Sequence, residues 1–234
     1  MQKRLNTEPI SVKYSYGPYN KIIGDRQRVR ITEGCPNNCP YCYEPQEIKI
    51  FEIPKIERNS VEISDMNLLC KEQALNIIKT LGQQKVNGKN VHYELLCGID
   101  YRFLTSDIAI TLFKNRFGGF IRNNWYPRIR LAWDWYYKDQ RKIKSAIDKL
   151  VRAGYRPRNI MIFMICNWKV SYEECCKKLD LCKVWGVQAA DCYFDNQVFP
   201  NVIPIHWTNQ ENKSFRKKVR KHNQLVTRKI DPEI

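Results

Sequence analysis

Several features are missing from this 234-residue chain, and each absence narrows the reading. It contains no run of eighteen apolar residues, so no transmembrane helix is expected. Its start, MQKRLNTEPISVKYS, has no apolar stretch, so a secretory signal is not expected and a cytoplasmic location is. No low-complexity tract or long Gly/Ser linker interrupts it. No GxGxxG follows the first strand candidate, so nothing favours a dinucleotide crevice. Histidine is scarce: His92, His206 and His222 stand apart, and none belongs to a closely spaced pair. Acidic residues are outnumbered, 24 Asp+Glu against 40 Lys+Arg, which leaves a formal charge of +16.

That charge admits two readings, a lysine-rich solvated surface or a polyanionic partner such as DNA or RNA. The densest runs are RQRVR (26–30), RPR (156–158) and FRKKVRKH (215–222). Composition alone does not choose between them. The length suits one large domain or two small ones, with a core that needs no covalent staples. Ten cysteines in a chain without a signal point to metal binding or thiol chemistry rather than a disulfide framework.

One unit recurs along the chain: a short β-branched or aromatic run, a polar residue at its end, then a helix-like stretch. Strand candidates are QRVRITE (27–33), SVEISD (60–65), VHYELLC (91–97), PRIRLAWD (127–134), NIMIFMIC (159–166) and VQAADCYF (187–194). The helices expected between them cover 68–82, a segment from about Ser106, roughly 138–152, and a segment capped by Ser171 and stopped by Gly186. Six such units predict an α/β fold with parallel strands and crossovers. Right-handed crossovers curl such a sheet toward a barrel, although a flat doubly wound sheet fits the same pattern. In a barrel, chemistry sits at the C-terminal strand ends. Those ends carry the Cys35 loop, Asp65 and Asn67, Cys97 and Asp100, Asp134, Cys166 and Asn167, and Tyr193 and Asp195.

The first strand runs into GCPNNCPYCYEP, where Cys35, Cys39 and Cys42 fall within eight residues. A four-ligand zinc site usually pairs CxxC with a second CxxC or HxxxH, and no partner pair lies nearby. Prolines and asparagines between the thiols make this a loop rather than a packed face. Three thiolates on one tight loop suit three corners of a 4Fe–4S cluster, leaving the fourth iron open to a small molecule. Gly34 lets the backbone turn sharply off the strand, and Pro36 and Pro40 stiffen the loop.

Cys35-x3-Cys39-x2-Cys42, with Tyr41 before the last cysteine and directly after a first strand, resembles the radical S-adenosylmethionine (SAM) superfamily. The resemblance covers about residues 27–195 and implies a partial (β/α)6 TIM-type barrel. It would leave residues 1–26 as an N-terminal extension and 196–234 as a C-terminal extension with a basic helix. It implies a 4Fe–4S cluster on the three cysteines and SAM bound to the open iron. It implies reductive cleavage of SAM to a 5′-deoxyadenosyl radical that takes hydrogen from a substrate, with an electron donor such as a flavodoxin or ferredoxin as partner and no membrane.

The resemblance also implies roles for single positions. Tyr41 matches the residue whose backbone contacts the adenine. The second strand departs from the usual Gly-Gly-Glu and reads Ile63-Ser64-Asp65-Met66-Asn67, so Asp65, or else Asn67, is the candidate for the SAM amine. The third strand ends Cys97-Gly98-Ile99-Asp100 where many members have Thr-Asn-Gly, which makes Asp100 a candidate cofactor contact. Asp134 is expected at the ribose or methionine, Arg130 at the SAM carboxylate, and Asn167 at the ribose or adenine. A thiol near the radical, Cys97 or Cys192, is a candidate hydrogen-atom donor.

The charge favours a nucleotide or nucleic-acid substrate. A peptide or protein substrate is the alternative, and a basic nucleic-acid-binding protein with a structural zinc loop is the reading from another class. Cys175 and Cys182 share a helix face, the usual mark of packing rather than an auxiliary cluster. Trp125, Tyr126, Trp133, Trp135, Tyr136 and Tyr137 crowd the fourth strand with Arg122, Arg128 and Arg130, a pattern expected mainly to be core.

Overall fold

The computed structural model describes residues 15–39, 41–121, 124–134, 136–193 and 207–228. Pro40, Arg122, Trp135 and Asp195, and parts of both extensions, lie outside the described residues.

The expected α/β class with parallel strands is present. Six strands match the six expected runs: β1 (Arg26–Arg30), β2 (Ser60–Ile63), β3 (His92–Leu95), β4 (Ile129–Ala132), β5 (Ile160–Cys166) and β6 (Gln188–Tyr193). β1, β2 and β3 pair in parallel, with Arg28 beside Glu62 and Glu62 beside Glu94. β4, β5 and β6 also pair in parallel. The two groups form separate sheets, because β3 bends after Leu95 and resumes as Ile99–Asp100, which pairs with β4. Gly98, at φ 83°, supplies the left-handed residue in that bend. Below it, a hairpin of Phe117–Ile121 and Asn124–Tyr126 occupies the place beside β3 that a continuous sheet would give to β4. Its glycines are needed there: a Cβ on Gly118 would stand 2.2 Å from the Tyr126 carbonyl oxygen. Among the described residues β6 does not pair with β1, so no closed barrel is present.

Each crossover is built as its sequence suggests. Helix α1 (Ala74–Gly82) follows a 3-10 turn at Leu68–Cys70. Helix α2 (Ser106–Lys114) is capped by Thr105, whose hydroxyl accepts from the Ile108 amide at 3.2 Å. Helix α3 (Gln140–Ala153) buries Ile143, Ala146, Ile147 and Leu150, an i, i+3, i+4, i+7 stripe, and stops at the left-handed Gly154. Helix α4 (Tyr172–Trp185) is capped by Ser171 and stopped by Gly186. Helix α5 (Asn209–Arg228) packs on β6 and α4.

The core lies between these helices and one face of the sheets. Along β1, Gln27 and Val29 are buried while Arg26, Arg28 and Arg30 are half-buried, so the arginines project from the opposite face. β4 alternates in the same way, with Ile129 and Leu131 buried and Arg130 and Ala132 half-buried. Trp133 is fully buried and stacks on Trp185 at 5.7 Å, and Cys175 and Cys182 are core residues of α4. Each large apolar side chain buried this way contributes about 1.5–3 kcal/mol. No helix among the described residues is long and apolar enough to cross a membrane.

Candidate functional site

The loop after β1 is fastened at both ends. The Gly34 amide donates to Glu44 Oε1 at 2.7 Å, and the Cys35 amide donates to the Pro45 carbonyl at 2.8 Å. Lys71, itself buried, donates from Nζ to the Gly34 carbonyl. Gly34 sits at φ 88°, and a Cβ there would stand 1.9 Å from the Glu47 carbonyl oxygen. Only glycine fits. Inside the loop, Asn38 takes a left-handed conformation and the Cys42 amide donates to the Cys39 carbonyl at 2.9 Å.

The three half-buried thiols of Cys35, Cys39 and Cys42 line one pocket, which encloses roughly 670 Å3 out to its mouth. That is within the range of small-molecule sites, about 300–1,000 Å3. The pocket also takes Tyr41, Asn67, Cys97, Asp100 and Asp134, so eight of the twelve candidate site residues share it. Tyr41 donates from its hydroxyl to Asp134 Oδ2 at 3.0 Å and meets Trp168 edge-on. Asp100 ties the loop to the end of the third strand: Asn37 Nδ2 donates to it at 2.6 Å, and Arg102 grips it with a two-nitrogen fork. Burial pushes the Asp134 carboxyl above the ordinary carboxylate range, opposed by the Tyr41 hydroxyl and the buried Lys178.

The other four candidates stand elsewhere. Asp65 is not a lining residue: Oδ1 accepts from the Ile31 amide at 3.0 Å and Oδ2 from the Thr32 hydroxyl at 2.7 Å. Both oxygens are occupied in tying the second strand to the first. Arg130 is held by an ion pair with Glu94 and donates to the Leu95 carbonyl at 3.1 Å, which clamps the bend in the third strand. Asn167 follows β5 in a left-handed conformation, outside the lining set. Cys192, on β6, is also outside it, with its thiol pushed up to about 12 by burial and by Asp134 and Asp191.

Asn67 is different. Its Nδ2 donates to Cys35 Sγ at 3.4 Å, while its Oδ1 is buried with no hydrogen-bond partner. A buried acceptor without a donor costs about 1–3 kcal/mol, so it marks a place where a ligand N–H fits.

Sequence reasoning missed three neighbours of the loop. Cys70 lies beside Cys35, hydrogen-bonds to its sulfur and, with the Asn37 amide, Asn67 and Lys71, draws the Cys35 thiol well below its ordinary value. Lys71 donates to Cys70 Sγ at 3.3 Å. Glu44 holds Gly34. The signal was available, since Cys70-Lys71 and Glu44 stand just beyond a strand end and the loop, but a single cysteine in a helix-like run reads as packing. Cys39 and Cys42 behave oppositely to Cys35: burial raises the first and lifts the second to about 11.

This donor set fits an iron–sulfur cluster better than a single ion. Among the described residues no three His, Cys, Asp or Glu side chains are grouped to hold one metal ion, the convergence a zinc site requires. A cubane takes each thiolate on a different iron and so needs the sulfurs spread around it. N–H donors already reach two of the sulfurs: the Glu44 amide approaches Cys42 Sγ at 3.4 Å, and Asn67 reaches Cys35. Such bonds stabilise thiolate ligands and tune cluster potential.

No protein-family model matches the chain, and no curated protein matches it.

Proposed function

We propose that the protein is a radical SAM enzyme, acting on a nucleotide or nucleic-acid substrate with an electron supplied by a flavodoxin- or ferredoxin-type donor. The observation that carries this reading is the meeting of Cys35, Cys39 and Cys42 in one pocket with the unpaired Oδ1 of Asn67. Within the reading, the two sheets joined through the bent third strand make up an open (β/α)6 partial barrel, with the pocket at the C-terminal strand ends.

A 4Fe–4S cluster bound to the three cysteines would supply the electron that splits the SAM sulfonium C–S bond and frees a 5′-deoxyadenosyl radical. The chain's own residues do the rest. Cys35, Cys39 and Cys42 are the ligands. Asn67 Oδ1 accepts from the SAM ammonium, the role expected of Asp65 or Asn67 and open only to the latter, since both Asp65 oxygens are committed. Asp134, held by Tyr41, faces the ribose, and Glu44, Asp100 and Asp134 give the pocket the negative charge that suits a cationic cofactor. Trp168 and Tyr41 pack beside this region and limit the entry of water. Cys97, whose thiol burial pushes up to about 11, stays protonated and carries a hydrogen atom at the pocket wall.

Anaerobic reconstitution with ferrous iron and sulfide tests the assignment. A brown protein holding about four irons and four sulfides is expected, following the stoichiometry of the cluster. A colourless protein that takes up zinc and no iron would overturn it.

A further inference from the structure

Beneath the pocket, the sheet face that carries it is basic. Ala132 and Asp134 line the pocket, and by strand alternation Arg128 and Arg130 project from the same face of β4. Arg26, Arg28 and Arg30 project from the matching face of β1, as their ion pairs across the sheet confirm. This floor therefore holds five guanidiniums against the carboxylates of Glu62 and Glu94. Those carboxylates are already used. Glu62 pairs with Arg26 and Arg28, both at 2.8 Å, while Glu94 pairs with Arg130 and accepts from the Phe120 amide at 3.2 Å.

Two arginines remain. Arg30 lies over the Tyr16 ring at 4.6 Å, and among the described residues neither it nor Arg128 has a carboxylate within salt-bridge distance. Arg128 is half-buried, and burial together with Arg130 pushes its guanidinium below the ordinary value, with Glu94 opposing only in part. A half-buried cation with surplus positive charge beside it is costly unless an anion joins it. The floor is continuous with the pocket, because Arg30 and Arg130 both act electrostatically on the pocket thiol of Cys97.

We infer that Arg30 and Arg128, backed by Arg28 and Arg130, form a binding site for the phosphate of a small phosphorylated substrate. Three strand spacings of about 4.8 Å separate β1 from β4, a span that two extended arginine side chains cover from either side. A phosphate monoester or diphosphate offers enough oxygens for more than one guanidinium fork, whereas a single carboxylate accommodates one. Charge then sorts the two ligands: the carboxylates around the thiols favour a cationic cofactor, and the arginines below favour the phosphorylated partner. The substrate role rests on the radical SAM reading; the anion site itself does not.

Calorimetric titration of the purified protein with pyrophosphate at low salt tests the site, with adenosine and citrate as controls. Saturable pyrophosphate binding is expected, with adenosine silent and citrate weaker. Arg128→Gln and, separately, Arg30→Gln should each weaken pyrophosphate binding at least tenfold, with unfolding temperatures measured alongside to show that both variants are folded. Lys213→Gln/Lys217→Gln, on the outer face of α5, should leave it unchanged. No saturable binding, or equal losses in the outer-helix variant, would overturn the proposal and leave the charge as a surface for polyanions. Pyrophosphate binding with these dependences in a protein that fails to take up iron would keep the anion site and remove the radical SAM reading. Iron uptake without pyrophosphate binding would do the reverse.

Discussion

Asn67 and Asp65 are two residues apart, yet the fold gives them different work. Asn67→Ala removes the one unpaired acceptor in the pocket and should weaken SAM binding by about 1.5–3 kcal/mol, roughly ten- to a hundredfold, with iron content kept. Asp65→Ala should leave SAM affinity nearly unchanged and lower the unfolding temperature instead, because it strips partners from Ile31 and Thr32. Equilibrium dialysis with labelled SAM and thermal unfolding of both variants check the pair. Asp65 also carries a pH signature. Burial raises its carboxyl from 3.8 to about 6. Its contribution to stability is therefore full below the unfolded value near 4 and is lost as pH rises through 6. Asp65→Asn should flatten the dependence of unfolding temperature on pH between those values, and an unchanged slope would assign the titration elsewhere. These roles were not legible in the sequence: Asp, Met and Asn all follow the second strand, and only the hydrogen bonds show which one is committed to the first strand.

The elements explain what sequence periodicity reached and where it stopped. All six parallel strands and the caps Thr105, Ser171, Gly154 and Gly186 were readable, because each depends on local pattern. The hairpin at Phe117–Tyr126 was not, since its glycine-rich, aromatic run resembles a loop and its place is decided by packing beside β3. The two-residue turn at Asn87-Gly88 had a plain Asn-Gly signal that went unused. The broken third strand was also invisible, for its clamp is long-range: Arg130 reaches back from β4 to Glu94 and the Leu95 carbonyl. Removing one partner strands the other. Arg130→Met should cost about 3–5 kcal/mol by leaving Glu94 buried and unpaired, and the double variant Arg130→Met/Glu94→Gln should recover much of it. Denaturant unfolding of the two single variants and the double variant measures this, and strictly additive losses would refute the clamp.

At the scale of the whole molecule, the charge of +16 divides into parts with different partners. The run at 26–30 is an internal floor, which composition could not reveal because it depends on which face of β1 the arginines take. The run at 215–222 lies on α5, where His222 and Val219 are buried against the core while Lys217 and Arg220 are exposed. On that helix Arg216 is tied to Asp191 at 3.2 Å. If single-stranded nucleic acid binds there, log K should fall with log salt at about −0.7 per contacted phosphate. Neutralising Lys217 and Arg220 should flatten that slope while leaving pyrophosphate binding intact; a slope that does not change would free the helix of any such role.

The central claim is that this pocket performs reductive SAM cleavage, and the direct measurement is the yield of 5′-deoxyadenosine. Reconstituted protein supplied anaerobically with SAM and dithionite should form 5′-deoxyadenosine and methionine, and Cys39→Ala should form none because one of the three iron ligands is gone. A Cys39→Ala protein that still makes 5′-deoxyadenosine, or a four-iron wild-type protein that makes none, would contradict the account.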